Sequence, residues 1–355
     1  MSPIYLQPGV LVLASSGQGK FNKPPLRLSV VVPCYNEEEN LPELERRVCA
    51  VCDQVAPKDY ELILVNDGSQ DSTSRLIAAM ATRNPAIVGL ELARNYGQQL
   101  ALTAGLAFAR GERTFIIDAD LQDPPEALPK MMSLMDKRGA NVIYGQRIDR
   151  KGENLFKLLT AKWFYRVLNF MTDVKIPLDT GDFRLMDRDA LDIFLAMGER
   201  DRFARGMIAW AGLQQEEFPY EREARFAGKS KYSLRQMTLF GVDAITGFSV
   251  APLRLAFVFA LAFMFIAVVL ALYVLSGWWA GQTVRGWTSV LLFFLAFSSV
   301  QLFCISIIGE YVGRTYMQSK NRPLCVVREV RGGPLRQHSA PARANRRSRK
   351  GKKSA

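Results

Sequence analysis

The sequence predicts an α/β fold in which a mostly parallel, Rossmann-like sheet precedes two transmembrane helices near the C-terminus. The first observation is a set of short apolar runs that alternate with helix-like stretches: residues 28–33, 61–65, 87–92, 114–117 and 141–144. Strands that are apolar throughout, rather than at every second residue, are typical of a parallel sheet covered on both faces. The second observation is a pair of long uncharged runs near the C-terminus.

Acidic residues follow two of the predicted strands where each strand ends. The second run leads into the sequence NDGS at residues 66–69, and the fourth leads into DAD at residues 118–120. In open α/β sheets, ligands bind beyond the carboxyl ends of the strands. We therefore expect a ligand site at this edge of the sheet.

Each of the two uncharged runs is long enough to cross a membrane. Neither residues 255–284 nor residues 286–309 contain a charged side chain. About 20 helical residues span a bilayer core of about 30 Å. We therefore predict transmembrane helices at 255–276 and 287–309, with a buried core hairpin as the alternative.

Positive charges at the ends of these runs predict the orientation of the chain. The short connection between the runs carries one positive charge, Arg285, whereas five flank the runs on their outer sides: Arg235, Arg254, Arg314, Lys320 and Arg322. Lys and Arg are enriched in cytoplasmic loops. Residues 1–26 also lack the basic region that begins a signal peptide. We therefore expect a multi-pass membrane protein with both termini and residues 1–250 in the cytoplasm.

Charge and composition exclude several chemistries. The net charge is +12, and the segment from Arg343 to Lys353 holds seven basic residues and no acidic one. Such a tail is expected to be disordered and to meet an anionic membrane surface rather than nucleic acid. His338 is the only histidine, and Cys49 and Cys52 have no second Cys or His pair. A His-based triad and a zinc site are therefore excluded.

Two stretches beside the predicted spans mix basic and aromatic residues. They are residues 156–171 and residues 231–254, and the second leads directly into the first span. Helices of this composition lie in the headgroup plane of a membrane. We predict an interfacial helix at 231–254, with packing on the soluble domain as the alternative.

The DAD sequence and the residues that follow it are candidates for binding a divalent metal. Asp118 and Asp120 place two carboxylates just past a buried strand, and Gln122 follows. A hard cation with oxygen ligands relieves such a concentration of negative charge, and a diphosphate supplies further oxygens. We predict Mg²⁺ or Mn²⁺ at Asp118, Asp120 and Gln122, with a solvated acidic turn as the alternative.

Four motifs in this order resemble those of family 2 inverting glycosyltransferases of the GT-A fold. They are PCYNE (33–37), VNDGS (65–69), DADLQDPPE (118–126) and TGDFR (180–184). The resemblance covers roughly residues 27–327 and is nearest to the polyprenyl-phosphate branch, in particular the bactoprenol glucosyltransferases, with dolichol-phosphate mannose synthases as more distant relatives.

The resemblance, together with the hydropathy and charge patterns, divides the chain into seven segments. They are an N-terminal extension (1–26), a GT-A catalytic domain (27–230), the interfacial helix (231–254), the two transmembrane helices (255–276 and 287–309), a cytoplasmic segment (310–334) and the disordered basic tail (335–355).

The resemblance also implies roles for individual residues. The nucleotide-sugar is expected to contact Pro33, Tyr35, Glu37, Asp67 and Asp118. Tyr35 is suited to stack on the base, and Asp67 to accept a hydrogen bond from it. Asp182 occupies the position of the catalytic aspartate, either as a base or as a group that orients the acceptor.

The acceptor of such an enzyme is a lipid monophosphate, which requires cations. With a second pKa near 6, the phosphate is mostly dianionic at neutral pH, so it attacks the sugar with little need of a base but is repelled by the donor diphosphate. The candidate phosphate-binding residues are Arg147, Arg184, Arg205, Arg225 and Lys231, with a plain surface charge as the alternative for each.

The predicted reaction is transfer of glucose from UDP-glucose to undecaprenyl phosphate with inversion at the anomeric carbon. UDP-aminoarabinose, UDP-GlcNAc and GDP-mannose are alternative donors. The resemblance also suggests a homo-oligomer and a bacterial inner membrane as its location. A processive polysaccharide synthase is disfavoured because the chain has no QxxRW sequence, and a non-catalytic membrane scaffold is disfavoured because all four motifs are present.

Overall fold

A computed structural model of the chain describes residues 4–6, 10–12, 26–147, 180–222, 250–280 and 286–332. The strands in these ranges are β1 (Ile4–Leu6), β2 (Val10–Val12), β3 (Leu26–Cys34), β4 (Tyr60–Asn66), β5 (Ile87–Leu92), β6 (Gly111–Ile116), β7 (Val142–Arg147), β8 (Thr180–Asp187), β9 (Gln215–Tyr220) and β10 (Cys325–Gly332). The α-helices are α1 (Leu41–Val55), α2 (Thr73–Arg83), α3 (Gln98–Phe108), α4 (Leu128–Arg138), α5 (Arg188–Ala196), α6 (Ala204–Trp210), α7 (Ala251–Trp279) and α8 (Trp287–Ser319).

The described strands form one sheet in the order β1-β2-β10-β5-β4-β3-β6-β8-β7-β9. Strands β5, β4, β3 and β6 pair in parallel at its centre. Every residue of β4 and β5 is buried, because helices cover both faces of the sheet. The predicted α/β fold with a mostly parallel sheet is therefore confirmed.

The two faces of the sheet carry separate hydrophobic cores. Helices α1 and α4 pack on one face, and α3, α5 and α6 pack on the other. Helix α3 lies very close to the sheet at Gly105, where an added Cβ would stand 2.4 Å from Val31 Cγ1 and 2.8 Å from Val65 Cγ2. This close approach fixes the position of α3, whose first turn reaches the candidate site.

Strand β8 interrupts the parallel order because it runs antiparallel to both β6 and β7. Ile116 of β6 pairs with Arg184 of β8. When that register is continued past the end of the ladder, Asp118 comes to lie opposite Asp182. Two motifs that are distant in the sequence therefore meet at one edge of the sheet.

Residues from both ends of the chain join the sheet, which the sequence analysis did not predict. Strand β10 lies between β2 and β5, parallel to the former and antiparallel to the latter. Segments 1–26 and 310–334, interpreted as an extension and a cytoplasmic segment, thus contribute strands β1, β2 and β10. The chain that follows the second apolar helix returns to the sheet.

Helices α7 and α8 contain the two stretches that are apolar and long enough to cross a membrane, Ala251–Tyr273 and Phe293–Ser319. In the most apolar part of the first stretch 6% is buried inside the protein, and in the most apolar part of the second stretch none is buried. A core hairpin would be buried, so that alternative does not hold for these helices. Helix α8 begins at the predicted residue but continues ten residues beyond 309.

The last turns of α8 contact the loop that precedes α6. Gln318 Nε2 donates to Gly198 O over 2.6 Å, and Arg200 N donates to Gln318 Oε1 over 3.0 Å. Arg314 forms an ion pair of 2.6 Å with Asp201. These contacts join the second apolar helix to the α/β domain. The predicted stretch at 156–171, the basic tail and residues 231–249 of the predicted interfacial helix (231–254) lie outside the described residues, and residues 251–254 form the start of α7.

Candidate active site

The loops after β3 and β4 are joined by hydrogen bonds between their motifs. Asn36 N donates to Ser69 Oγ over 2.9 Å, and Gln70 N donates to Asn36 Oδ1 over 2.9 Å. Asn36 has a φ of 53°, in the left-handed region that asparagine tolerates better than most residues. Ser72 N likewise donates to Glu38 Oε2 over 2.8 Å. The two motifs therefore form one structural unit.

The residues predicted to contact the nucleoside lie on this unit. Pro33, Tyr35 and Glu37 are half-buried at the carboxyl end of β3. Glu37 Oε2 accepts a hydrogen bond of 2.6 Å from Asn40 Nδ2, which fixes the carboxylate at the start of α1. Their contact with a nucleotide stays a prediction.

Asp67 holds the loop that leads into α3. Its carboxylate accepts from Tyr96 N over 2.7 Å and from Gly97 N over 2.8 Å. Burial raises the pKa of Asp67, although these two N–H donors oppose the shift. Both oxygens thus bind backbone, a role that sequence reasoning did not foresee, and recognition of a base by Asp67 stays a prediction.

Four aspartates gather where the DxD and TGDF motifs meet: Asp118, Asp120, Asp123 and Asp182. The pKa of Asp118 is raised to about 8, first because the pocket removes water from its carboxyl group and then because the other three carboxylates repel its negative charge. Gln98 Nε2 donates to Asp118 Oδ1 over 2.9 Å. A cation bound at Asp118 would offset the repulsion between these carboxylates.

Asp182 differs from Asp118 because arginines surround it. Burial alone would raise the pKa of Asp182, but Arg205 and Arg184 outweigh burial and hold it below the ordinary value. Arg205 Nε donates to Asp182 Oδ1 over 3.1 Å, and Gln99 Nε2 donates to Asp182 Oδ2 over 2.7 Å. Asp182 is therefore ionised, and both of its oxygens accept hydrogen bonds.

The predicted phosphate-binding arginines differ in how much of their side chains is exposed. Arg184 is only 3% exposed, and burial lowers its pKa to about 10 in spite of the opposing effect of Asp182. It serves as a buried counter-charge for that aspartate. Arg205 and Arg147 keep 23% and 26% of their side chains exposed, so both side chains remain partly accessible. Arg225 and Lys231 lie outside the described residues.

A second set of polar and charged side chains surrounds Asp123, which is 1% exposed. Tyr220 donates a hydrogen bond to its Oδ1. Arg147 lies 4.0 Å and Arg222 3.8 Å from the same oxygen, and Arg147 Nε donates to the Tyr220 hydroxyl over 3.4 Å. Asp123 therefore anchors Arg147 at the end of β7. Tyr220 and Arg222 carry no motif that would have identified them in the sequence.

The predicted metal ligands lie on one tight turn. Gln122 N donates to Asp120 Oδ1 over 3.2 Å, and Leu121 between them has a φ of 56°. Throughout the described ranges, no three acidic, Cys or His side chains are arranged to hold a metal by themselves. Mg²⁺ is commonly held by one or two carboxylates together with substrate phosphates. Asp118 and Asp120 thus fit a cation whose other ligands come from a diphosphate and water.

Comparison with known proteins finds relatives over most of the chain. The family model described as "Glycosyl transferase family 2" matches residues 29–194. The "Uncharacterized glycosyltransferase YkcC" of Bacillus subtilis (strain 168) is 41% identical over 312 residues, which cover 86% of this chain and 95% of that protein. The "SfII prophage-derived bactoprenol glucosyl transferase" of Shigella flexneri is 37% identical over 317 residues, 87% of this chain and 100% of that protein. The "Prophage bactoprenol glucosyl transferase homolog" of Escherichia coli (strain K12) is 35% identical over 307 residues, with 86% and 100% covered.

Proposed function

Because the chain belongs to glycosyl transferase family 2, we propose that it transfers a sugar from a nucleoside diphosphate to a polyprenyl phosphate at the cytoplasmic face of a bacterial membrane. The observation that carries the proposal is the meeting of Asp118 and Asp182 in one cluster, flanked by accessible arginines. The names of two relatives support bactoprenol phosphate as acceptor and glucose as the sugar.

The donor occupies the edge formed by the loops after β3, β4 and β6. Pro33, Tyr35 and Glu37 contact the nucleoside there, and Asp67 holds the loop beside it. Asp118, Asp120 and Gln122 hold a divalent cation, Mg²⁺ or Mn²⁺, against the diphosphate. When bound, such a cation stabilises the charge that builds on the departing nucleoside diphosphate.

The acceptor phosphate is itself the nucleophile, which makes a strong general base unnecessary. Asp182 is ionised and accepts hydrogen bonds at both oxygens, an arrangement suited to orienting Arg205 rather than to removing a proton. Arg205 and Arg147 bind the phosphate and reduce its repulsion from the donor. The positive charge of the buried Arg184 favours the ionised form of Asp182.

The position of α8 supports delivery of a lipid acceptor from the membrane. Its C-terminal turns contact the loop at residues 198–201, and this loop leads into α6, which carries Arg205. Strand β10 follows α8 and joins the catalytic sheet. We propose that the outer ends of both spans lie on the same side of the membrane as this sheet, the cytoplasmic side. Formation of a homo-oligomer stays a prediction.

A donor panel tests the proposed function. The purified protein is incubated with undecaprenyl phosphate, Mg²⁺ or Mn²⁺, and one of UDP-glucose, UDP-GlcNAc, UDP-aminoarabinose or GDP-mannose, with and without EDTA. Mass spectrometry of the lipid fraction is expected to find the hexosyl lipid with UDP-glucose and no product with EDTA. If no donor yields a glycolipid, the proposed function is wrong.

A further inference from the structure

Two consecutive glutamines at the start of α3 contact the two principal aspartates of the site. Gln98 Nε2 lies 2.9 Å from Asp118 Oδ1, and Gln99 Nε2 lies 2.7 Å from Asp182 Oδ2. Successive residues of an α-helix point about 100° apart, because 3.6 residues make one turn. One helical turn therefore reaches the donor side and the acceptor side of the cluster at the same time.

The amide of Gln99 is held in one orientation by a closed ring of contacts. Its Oε1 accepts from Ala204 N over 3.1 Å, while its Nε2 donates to Asp182. Ala204 is the first residue of α6, and the next residue, Arg205, donates to the other oxygen of Asp182 over 3.1 Å. A flipped amide would lose both contacts, because its carbonyl cannot donate and its NH₂ cannot accept.

The start of α3 is itself fixed from two directions. Asp67 accepts hydrogen bonds from the backbone of Tyr96 and Gly97 immediately before the helix. On the sheet side, Gly105 lets α3 approach Val31 and Val65 closely. The first turn of α3 is thus a rigid support, as the positioning of a catalytic group requires.

We propose that Gln99 is the positioning residue that holds Asp182 and the Arg205 helix in the arrangement needed for attack by the acceptor phosphate, and that Gln98 does the same for Asp118 on the donor side. This inference rests on the proposed function. It assigns different positioning roles to two neighbouring side-chain amides, and neither residue belongs to any of the four motifs.

The test compares Gln99→Met with Gln98→Met in the full-length protein. Methionine keeps the length of the side chain and removes its hydrogen-bonding groups. Because a small misplacement of reacting groups reduces rate by about 100-fold, Gln99→Met is expected to lower kcat by about that factor and to leave the dissociation constant of UDP with Mn²⁺ unchanged. Gln98→Met is expected to weaken binding of UDP with Mn²⁺ instead.

Two controls keep the test decisive. Gln54→Met makes the same change at an exposed position of α1. It is expected to leave kcat and the dissociation constant of UDP with Mn²⁺ unchanged. Ala204→Pro removes the N–H that donates to Gln99 Oε1 and adds ring atoms at a buried position; it lies at the first position of α6, where proline is tolerated. It is expected to lower kcat in the same direction as Gln99→Met, and it replaces that variant if Gln99→Met does not fold.

The outcomes separate the inference from the proposed function. The inference would be overturned, with the wild-type enzyme still active, if Gln99→Met kept the wild-type kcat. It would also be overturned if kcat and the dissociation constant of UDP with Mn²⁺ changed by the same fraction in the two glutamine variants. A wild-type protein that binds UDP with Mn²⁺ and transfers no sugar would instead contradict the proposed function.

Discussion

Arg205 donates to the carboxylate of Asp182 over 3.1 Å, and this contact joins the short helix α6 to strand β8. The Asp182 side chain is 3% exposed, whereas the Arg205 side chain is 23% exposed. The pair therefore has a buried side that faces the protein and an accessible side that can meet an anion. The site combines this pair with the acidic turn at Asp118, so that opposite charges stand next to each other at one edge of the sheet.

Replacement of Asp182 by asparagine is expected to abolish transfer and to leave nucleotide binding intact. The substitution preserves the shape of the side chain but removes the negative charge that opposes Arg205 and the buried Arg184. We expect kcat to fall by at least about 100-fold, the scale of a misplaced reacting group. Turnover is measured with the lipid acceptor and UDP binding by calorimetry. Near-normal turnover would remove Asp182 from the site.

Loss of the Arg147 guanidinium is expected to weaken binding of the lipid phosphate. Arg147 is accessible and is held by the Asp123 and Tyr220 pair. Because a charge-assisted hydrogen bond contributes about 1.5–3 kcal/mol, we expect Arg147→Met to raise the KM for polyprenyl phosphate by about 10-fold or more. Arg46→Met is the control, since Arg46 lies on the exposed side of α1. An unchanged KM in Arg147→Met would contradict the assignment.

Binding of the divalent cation is expected to strengthen as the pH rises towards about 8. The folded-state pKa of Asp118 is about 8, above the value of about 3.9 for an aspartate in an unfolded chain. The folded metal-free protein therefore retains a proton between these values, and its free energy of unfolding decreases as the pH rises through that window. A cation that binds Asp118 must displace this proton.

The measurement is a titration of Mn²⁺ by electron paramagnetic resonance at several pH values. Below the pKa of Asp118, the affinity is expected to rise about tenfold per pH unit, because one proton is released for each cation bound. In Asp118→Asn the affinity should be weak and its dependence on pH much smaller. An affinity of the wild-type protein that is constant between about pH 6 and 8 would contradict the role of Asp118.

Glu91 is expected to matter more for stability than its partner Arg328. The buried carboxylate accepts from Asn66 Nδ2 and Ser74 Oγ over 2.8 Å each, and from Arg328 over 3.3 Å. Glu91→Ala leaves buried donors unsatisfied, at a cost of about 1–3 kcal/mol. Arg328 is 59% exposed, so Arg328→Met is expected to cost less than about 1 kcal/mol. Denaturant unfolding measures both, and a reversed order would show the interpretation wrong.

The central part of the fold could be predicted from the sequence because short stretches of sequence are enough to identify its strands. Strands β3 to β7 are apolar runs that end at polar turns, and each prediction overlaps the observed strand. The DxD motif drew attention to Asp118 because it follows an apolar strand. Asp182 was identified only through the resemblance of TGDF to a family motif, and strand β8, which carries it, was not predicted.

The remainder depends on contacts between distant parts of the chain. Strand β10 contains Arg328, Glu329 and Arg331 among its apolar residues, and it becomes a strand only because β5 and β2 pair with it. Gln98 and Gln99 are uncharged and follow no recognisable motif. Their role emerges only when β8 brings Asp182 beside Asp118.

The central claim is that a lipid phosphate attacks the anomeric carbon of the donor sugar. Nuclear magnetic resonance of the purified product, through the coupling between the anomeric proton and phosphorus, tests this claim most directly. The account predicts a β-linked sugar esterified to the polyprenyl phosphate after incubation with UDP-glucose and Mg²⁺. Free glucose and UDP without such a linkage, or an α-linked product, would contradict it.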